Sequence, residues 1–262
     1  MFRCFRVDPA ALPFGDSSAD KPKLQSIGES TIRDGTASVA SSLEKFLSAS
    51  GSLDGSALRD HWFPTLEADV FISHSHKDKD DAVALVGWLA ERFQLRAFVD
   101  SSVWGHVDNL LRDIDNRFCL NEDRKTYSYE TRNKSTAHVH AMLSTALTMM
   151  LDNTECLFFL DTPNALTTED AVKRTYSPWL YTELAITTML RQKQPCDHRR
   201  IAQIKAAAQR RSFNENLNIN YCVHTTALMP LTRANFAAWA KNHEPHKVHA
   251  LDSLYRVCPT SP

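Results

Sequence analysis

The chain has 262 residues, 43% of them hydrophobic and 23% charged, a composition that excludes disordered, collagenous and membrane-embedded classes. That length suits one α/β domain with extensions, or two small domains, and can bury a core without disulfide staples. The formal net charge of −1 gives no bulk electrostatic pull toward nucleic acid or any other partner.

Residues 1 to about 36 are rich in Ser, Asp, Gly and Pro without a clear period, and are expected to form an arm or loosely packed extension. Val39 to Leu47 carries a short amphipathic pattern, and Leu58 to Phe63 suits one more helical turn before Pro64. The rhythm then changes. Asp69 to Ser73 is a short apolar run that ends abruptly, as a buried parallel strand does. Asp80 to Phe93 has the 3.6-residue period of a helix, and Leu95 to Val99 reads as a second strand. A helix is expected at Thr136 to Leu151, a strand at Glu155 to Leu160, and a helix at Pro178 to Leu190. Farther on, Ile201 to Arg211 reads as a helix and Tyr221 to His224 as a weaker strand. Asn235 to Asn242 and Ala250 to Val257 read as short helices. Alternating strands and helices predict a parallel sheet with helices on both faces.

The six cysteines form no C-x-x-C pair, the N-terminus has no apolar signal-peptide core, and no apolar run approaches the roughly 20 residues of a membrane span. The expectation is a cytoplasmic protein with reduced thiols and no membrane partner.

In an open parallel sheet, ligands bind beyond the carboxyl ends of the strands. Three polar loops fall there: Ser73 to Asp78, Asp100 to Gly105, and Asp161 to Asn164. Neither G-x-G-x-x-G nor G-x-x-x-x-G-K-[ST] accompanies them, which argues against a Rossmann dehydrogenase or a P-loop NTPase. The sharpest local feature is Ser177 to Leu184, with Ser177 as an N-cap and Pro178 at the first helical position. Trp179 and Glu183 then share one helix face. On spacing alone, Trp179 reads as core and Glu183 as a solvated helix residue. His138 and His140, or His243, His246 and His249, lack partners at metal-ligand spacing, so no metal is expected. Seven Lys/Arg between Arg191 and Arg211 oppose the single acid Asp197, but without interleaved aromatics they read as a solvated face, and nucleic acid is not expected as a partner.

Asp69-Val-Phe-Ile-Ser-His-Ser-His-Lys-Asp78 resembles the first strand and loop of TIR (Toll/interleukin-1 receptor) domains, which read D-V-F-I-S-[YH]-S-x-x-D. Leu157 to Leu184 is similar to their central strand, followed by S-x-W-x-x-x-E-L, here Ser177, Trp179, Glu183 and Leu184. The resemblance implies a flavodoxin-like parallel sheet with helices on both faces, over residues 67–262. Residues 1–66 would be a partly helical N-terminal extension, and about 101–135 a helical insertion. It implies a bacterial-type TIR effector that acts on NAD⁺ as substrate, without a cofactor, in Thoeris-like defence against phage. Glu183 would be catalytic and the products nicotinamide with ADP-ribose or a cyclic ADP-ribose. Ser73, His74, Ser75, His76, Asp100, Trp104, Ser177 and Trp179 are the candidate substrate-binding residues. Implied partners are further copies of the chain, an effector protein and a phage trigger. The rival reading is a TIR scaffold that self-associates without catalysis; a nucleoside deoxyribosyltransferase-like enzyme is a more distant one. The chain departs from the family in the 54 residues from Ser101 to Thr154, which leave room for an added helix near Val107 to Phe118. It departs again at Leu180, where many relatives carry Cys.

Overall fold

The computed structural model describes residues 1–14, 20–34, 43–47, 51–104, 107–169, 172–199, 221, 222, 225, 228–245 and 248–259. The elements are β1 (Arg3–Val7), α1 (Lys21–Asp34), α2 (Gly55–Trp62), β2 (Val70–Ser73), α3 (Lys79–Phe93), β3 (Ala97–Phe98) and α4 (Asp100–Val103). There follow α5 (Val107–Phe118), α6 (Tyr129–Asn153), β4 (Cys156–Leu160), β5 (Thr167–Glu169), β6 (Val172–Thr175) and α7 (Pro178–Met189). The last are α8 (Pro195–His198), β7 (Tyr221–Cys222), β8 (Met229–Leu231), α9 (Arg233–Asn242) and α10 (Ala250–Val257).

Five strands pair in parallel in the order β3-β2-β4-β1-β8. Phe158 of β4 lies opposite Ile72 on one side and Phe5 on the other, so β4 is central. The sheet is compatible with a flavodoxin-like fold, whose strand order is 2-1-3-4-5. Here the N-terminal strand fills the fourth position. This corrects the expectation that residues 1 to about 36 form a loose arm. β1 pairs with β4 along its whole length and with β8 over residues 5–7, and its Phe5 and Val7 have no exposed surface. Its alternation of Arg with apolar residues hid it, because a central strand is expected to be continuously apolar. Arg3 lies at the strand's start, where its guanidinium donates to the carbonyl of Cys258 at 2.6 Å and sits over the Tyr255 ring.

The pleat sends alternate side chains to opposite faces. Phe71, Leu157 and Phe159 pack with α2, α6 and α7 through Trp62, Val139, Leu147, Leu180 and Leu184. Val70, Ile72, Phe158 and Phe5 pack on the other face with α1, α3, α9 and α10 through Leu24, Leu85, Trp239 and Leu254. The result is a three-layer α/β/α sandwich. On the second face α1 and α3 cross at van der Waals contact of their backbones. A Cβ on Gly28 would lie 2.0 Å from the carbonyl oxygen of Val83, and one on Gly87 would lie 1.9 Å from that of Leu24. Gly28 is therefore a packing surface.

Below the sheet, Arg199 holds two carboxylates at once. It donates to both oxygens of the buried Glu155, at 2.9 and 2.8 Å, and to both of Asp252, at 3.0 and 2.9 Å, tying α10 to the start of β4.

A small antiparallel sheet, β5-β6-β7, whose first two strands lie between β4 and α7 in the chain, is absent from the sequence expectation. Tyr221–Cys222 is a strand as anticipated, but it pairs with β6 rather than with the main sheet. The fifth parallel strand is Met229–Leu231, too short to stand out in the sequence. The expected helix at Val107 to Phe118 is α5. The helix expected from Thr136 starts at Tyr129, where Ser128 caps it by accepting from the Thr131 N–H at 3.4 Å. Buried Asp115 joins α5 to α6, accepting from Arg132 at 2.8 Å and Ser135 at 2.5 Å. Of the expected Val39–Leu47 helix residues 43–47 are described, with Leu43–Phe46 a 3-10 turn and Leu47 bridged to Leu53; the expected helix at 201–211 lies outside the described residues.

Candidate active site

From β2 the chain crosses to β3 by α3 on one face. It returns to β4 by α5 and α6 on the other, so the order reverses between β2 and β4. Such a switch point opens a crevice at the carboxyl ends of its two strands. β2 delivers Ser73 and His74 there, β4 delivers Asp161 and Thr162, and the end of β3 delivers Asp100.

Two of the loops are pinned to each other. After Ser75 a 3-10 turn carries Asp78 inward, with its N–H bonded to the Ser75 carbonyl at 2.8 Å. The buried Asp78 carboxylate accepts from the Thr162 hydroxyl and from Asn164 Nδ2 at 2.7 Å. Asp161 beside them is held by Lys173 of β6 at 2.5 Å and faces Arg6 of β1 at 3.6 Å.

Glu183 reaches the same place from α7. The Ser177 hydroxyl accepts from the Leu180 N–H at 3.3 Å and Pro178 occupies the first turn, so the helix starts where the sequence predicts. That start turns Leu180, Glu183 and Leu184 inward. Glu183 is not the solvated residue that spacing alone suggests, being 2% exposed. The Ser73 hydroxyl donates to its Oε2, joining residues 110 positions apart. Burial holds the Glu183 pKa well above the usual carboxylate range, and the neighbouring Asp100 charge adds to the rise; the Ser73 hydrogen bond opposes both.

His74, also buried, has its Nε2 2.9 Å from Ser101 Oγ and its Nδ1 3.8 Å from Asp100 Oδ1. Burial lowers its pKa and favours the neutral ring, against the pull of Asp100. Asp100 is itself raised, first by burial, with His74 opposing, although its side chain keeps 26% exposure. Among the described residues no Lys or Arg pairs with Glu183 or Asp100.

The remaining candidates scatter. Trp179 is half-buried against the α6–α7 core, its ring 5.4 Å from that of His140. Ser177 spends its hydroxyl on the cap. Ser75 is half-buried and His76 exposed on the 3-10 turn, and neither has a described contact with Glu183. Trp104 is a correction: at 4% exposure it is core, donating from Nε1 to the Pro64 carbonyl at 3.3 Å and lying edge-on to Phe63 and Phe98. No ring face remains for a base. Ser101, Thr162 and Asn164 join the site network, and only their place in strand-end loops marked them. Among the described residues no group of His, Cys, Asp and Glu has a metal-holding arrangement, and no helix is long and apolar enough to cross a membrane.

Set beside protein-family models, curated proteins and solved structures, the chain matches none of them.

Proposed function

We propose that this chain is a TIR-type enzyme that cleaves the nicotinamide N-glycosidic bond of NAD⁺, with Glu183 as its catalytic carboxylate. The observation that carries this reading is the Ser73–Glu183 hydrogen bond. Two motifs picked out independently in the sequence, one ending β2 and one opening α7, meet there at the switch point of a parallel sheet.

The chemistry suits a single acidic centre. Cleavage at the ribose carbon passes through an oxocarbenium-like transition state, as in glycoside hydrolysis. The nicotinamide ring is cationic in the substrate and leaves neutral, so no general acid has to protonate it. What the site must supply is negative charge and acceptors beside the ribose, the role assigned to ionised Glu183. Water as acceptor gives ADP-ribose, and an internal nucleophile gives a cyclic product. Service as an anti-phage effector that depletes NAD⁺ or makes such a signal is part of the same proposal.

The test is NAD⁺ turnover with chromatographic identification of products, at high protein concentration and in cells challenged with phage. Wild type should consume NAD⁺, and Glu183→Gln should fall by at least about a hundredfold, the scale of losing a principal electrostatic stabiliser. Equal consumption by the two would sink the assignment of Glu183. The 2% exposure of Glu183 favours a second reading, a self-associating scaffold without catalysis, because a substrate must displace whatever covers that carboxylate. An assembled wild type that never consumes NAD⁺ would establish it.

A further inference from the structure

Resting on the NAD⁺ reading, we propose that Arg6 and Lys173, two cations gathered on Asp161, form the site for the diphosphate bridge of the dinucleotide. They are binding residues, which anchor the substrate so that its ribose lies at the Ser73–Glu183 contact.

The placement follows from register. Ser73 and Arg6 both stand opposite Phe159, one on each side of β4, so the three form a row across β2, β4 and β1. Ser73 lies two residues after Phe71, and Arg6 two after Cys4; Phe71 and Cys4 both belong to the core on the α6–α7 side. Residues two apart in a strand share a face, so Ser73 and Arg6 project to the side from which α7 brings Glu183. Two strand spacings, about 10 Å, separate their backbones. A ribose carrying a 5′-diphosphate is of that order of length.

Lys173 comes to the same edge from β6. Two residues on, the buried Thr175 accepts from the Ser177 N–H at 3.1 Å, so the strand that carries Lys173 runs straight into the cap of the Glu183 helix. Asp161, just past the end of β4, is fixed by its own N–H, which donates to the Val7 carbonyl at 2.8 Å. One of its oxygens, Oδ2, accepts from Lys173 Nζ at 2.5 Å and faces Arg6 Nε at 3.6 Å. An anionic oxygen is thus already seated between the two cations.

Two cations against one carboxylate leave a positive charge in excess, and neither cation is saturated. A lysine has three donors and an arginine five, and the Arg6 contact is longer than a hydrogen bond. Arg6 and Lys173 keep 36% and 30% of their side-chain surface exposed, so a ligand reaches them from solvent. A guanidinium fork takes two phosphoryl oxygens at once, and an ammonium takes one as a point charge. The pair therefore suits two linked phosphoryl groups.

The test is calorimetric titration of the full chain with ADP-ribose, alone and in the presence of inorganic pyrophosphate, beside NAD⁺ kinetics. Wild type should bind ADP-ribose, more weakly as salt rises, and pyrophosphate should compete with it. Arg6→Gln and Lys173→Gln should each weaken binding by about ten- to a hundredfold, the worth of a hydrogen bond to a charged group. Lys23→Gln, which removes an exposed cation from α1 on the other face of the sheet, should bind as wild type does. The KM for NAD⁺ should rise in the two site variants with kcat little changed, the signature of lost ground-state binding. Lys173 lies outside the main sheet, so its variant carries the test if Arg6→Gln fails to fold. ADP-ribose that binds wild type and the site variants equally, that saturating pyrophosphate does not displace, or that does not bind at all overturns the site even where NAD⁺ is consumed. ADP-ribose held through Arg6 and Lys173 by a protein that never consumes NAD⁺ would keep the diphosphate site and sink the cleavage reading.

Discussion

At the scale of single residues, Glu183 carries a stability consequence separate from any activity. Its pKa is raised in the folded protein above its value in the unfolded chain. The stability it allows is therefore complete below the ordinary carboxylate pKa, and is lost as pH rises from there through the folded value. Urea unfolding across that range should show wild type losing stability relative to Glu183→Gln, which keeps an acceptor for Ser73 without the charge. Parallel pH curves for the two proteins would contradict a raised Glu183. Of the other residues, Trp104 shows why a residue's place in a loop is a weak guide. It follows β3 in the sequence, as a ligand-stacking aromatic would, yet the first turn of α4 carries it under Phe63 and Phe98 into the core.

At the scale of elements, the α1–α3 crossing leaves no room for a side chain at either glycine. Each glycine lies against the partner helix's carbonyl, so even a methyl group must push backbone rather than a mobile side chain. Gly28→Ala and Gly87→Ala are each expected to cost about 1–3 kcal/mol through overpacking, although alanine is the better helix former. Thermal unfolding should show both variants less stable, and an unchanged or raised Tm would mean that the helices separate at no cost. Helices α5 and α6 show a different logic. The boundaries of α6 follow the Ser128 cap and the hydrophobic period, which are local, whereas α5 fills the room that the long Ser101–Thr154 segment leaves for an added helix near Val107 to Phe118. The early start of α6 was missed because its first turns, Tyr129 to Lys134, are polar and lie before the apolar stripe.

At the scale of the whole molecule, the N-terminal strand decides where the folding unit begins. β1 hydrogen-bonds to both β4 and β8, and its Phe5 stands edge-on to Phe158. A chain starting at residue 67, the boundary that the sequence suggests, would lack that strand and leave two edges exposed within the sheet. It should fail to give a cooperative unfolding transition, while the full chain gives one. A stable, cooperative 67–262 fragment would show that β1 is dispensable. The fastening at the opposite end of the strands has the same long reach, since Arg199 joins β4 to α10 across the bottom of the sheet.

Local physics made the β2, α3, β4 and α7 segments legible, because apolar runs, helical period, the Ser177 cap and Pro178 act over a few residues. The three strand-end loops of the site were likewise readable, since any parallel sheet gathers its carboxyl ends at one edge. Tertiary structure alone decided that residues 3–7 enter the sheet, that Met229–Leu231 closes its edge, and that Glu183 is buried against Ser73 with Asp100 in its field. Those outcomes depend on pairing and burial between segments as far apart as residues 5 and 158, or 73 and 183, and no window of sequence contains both partners.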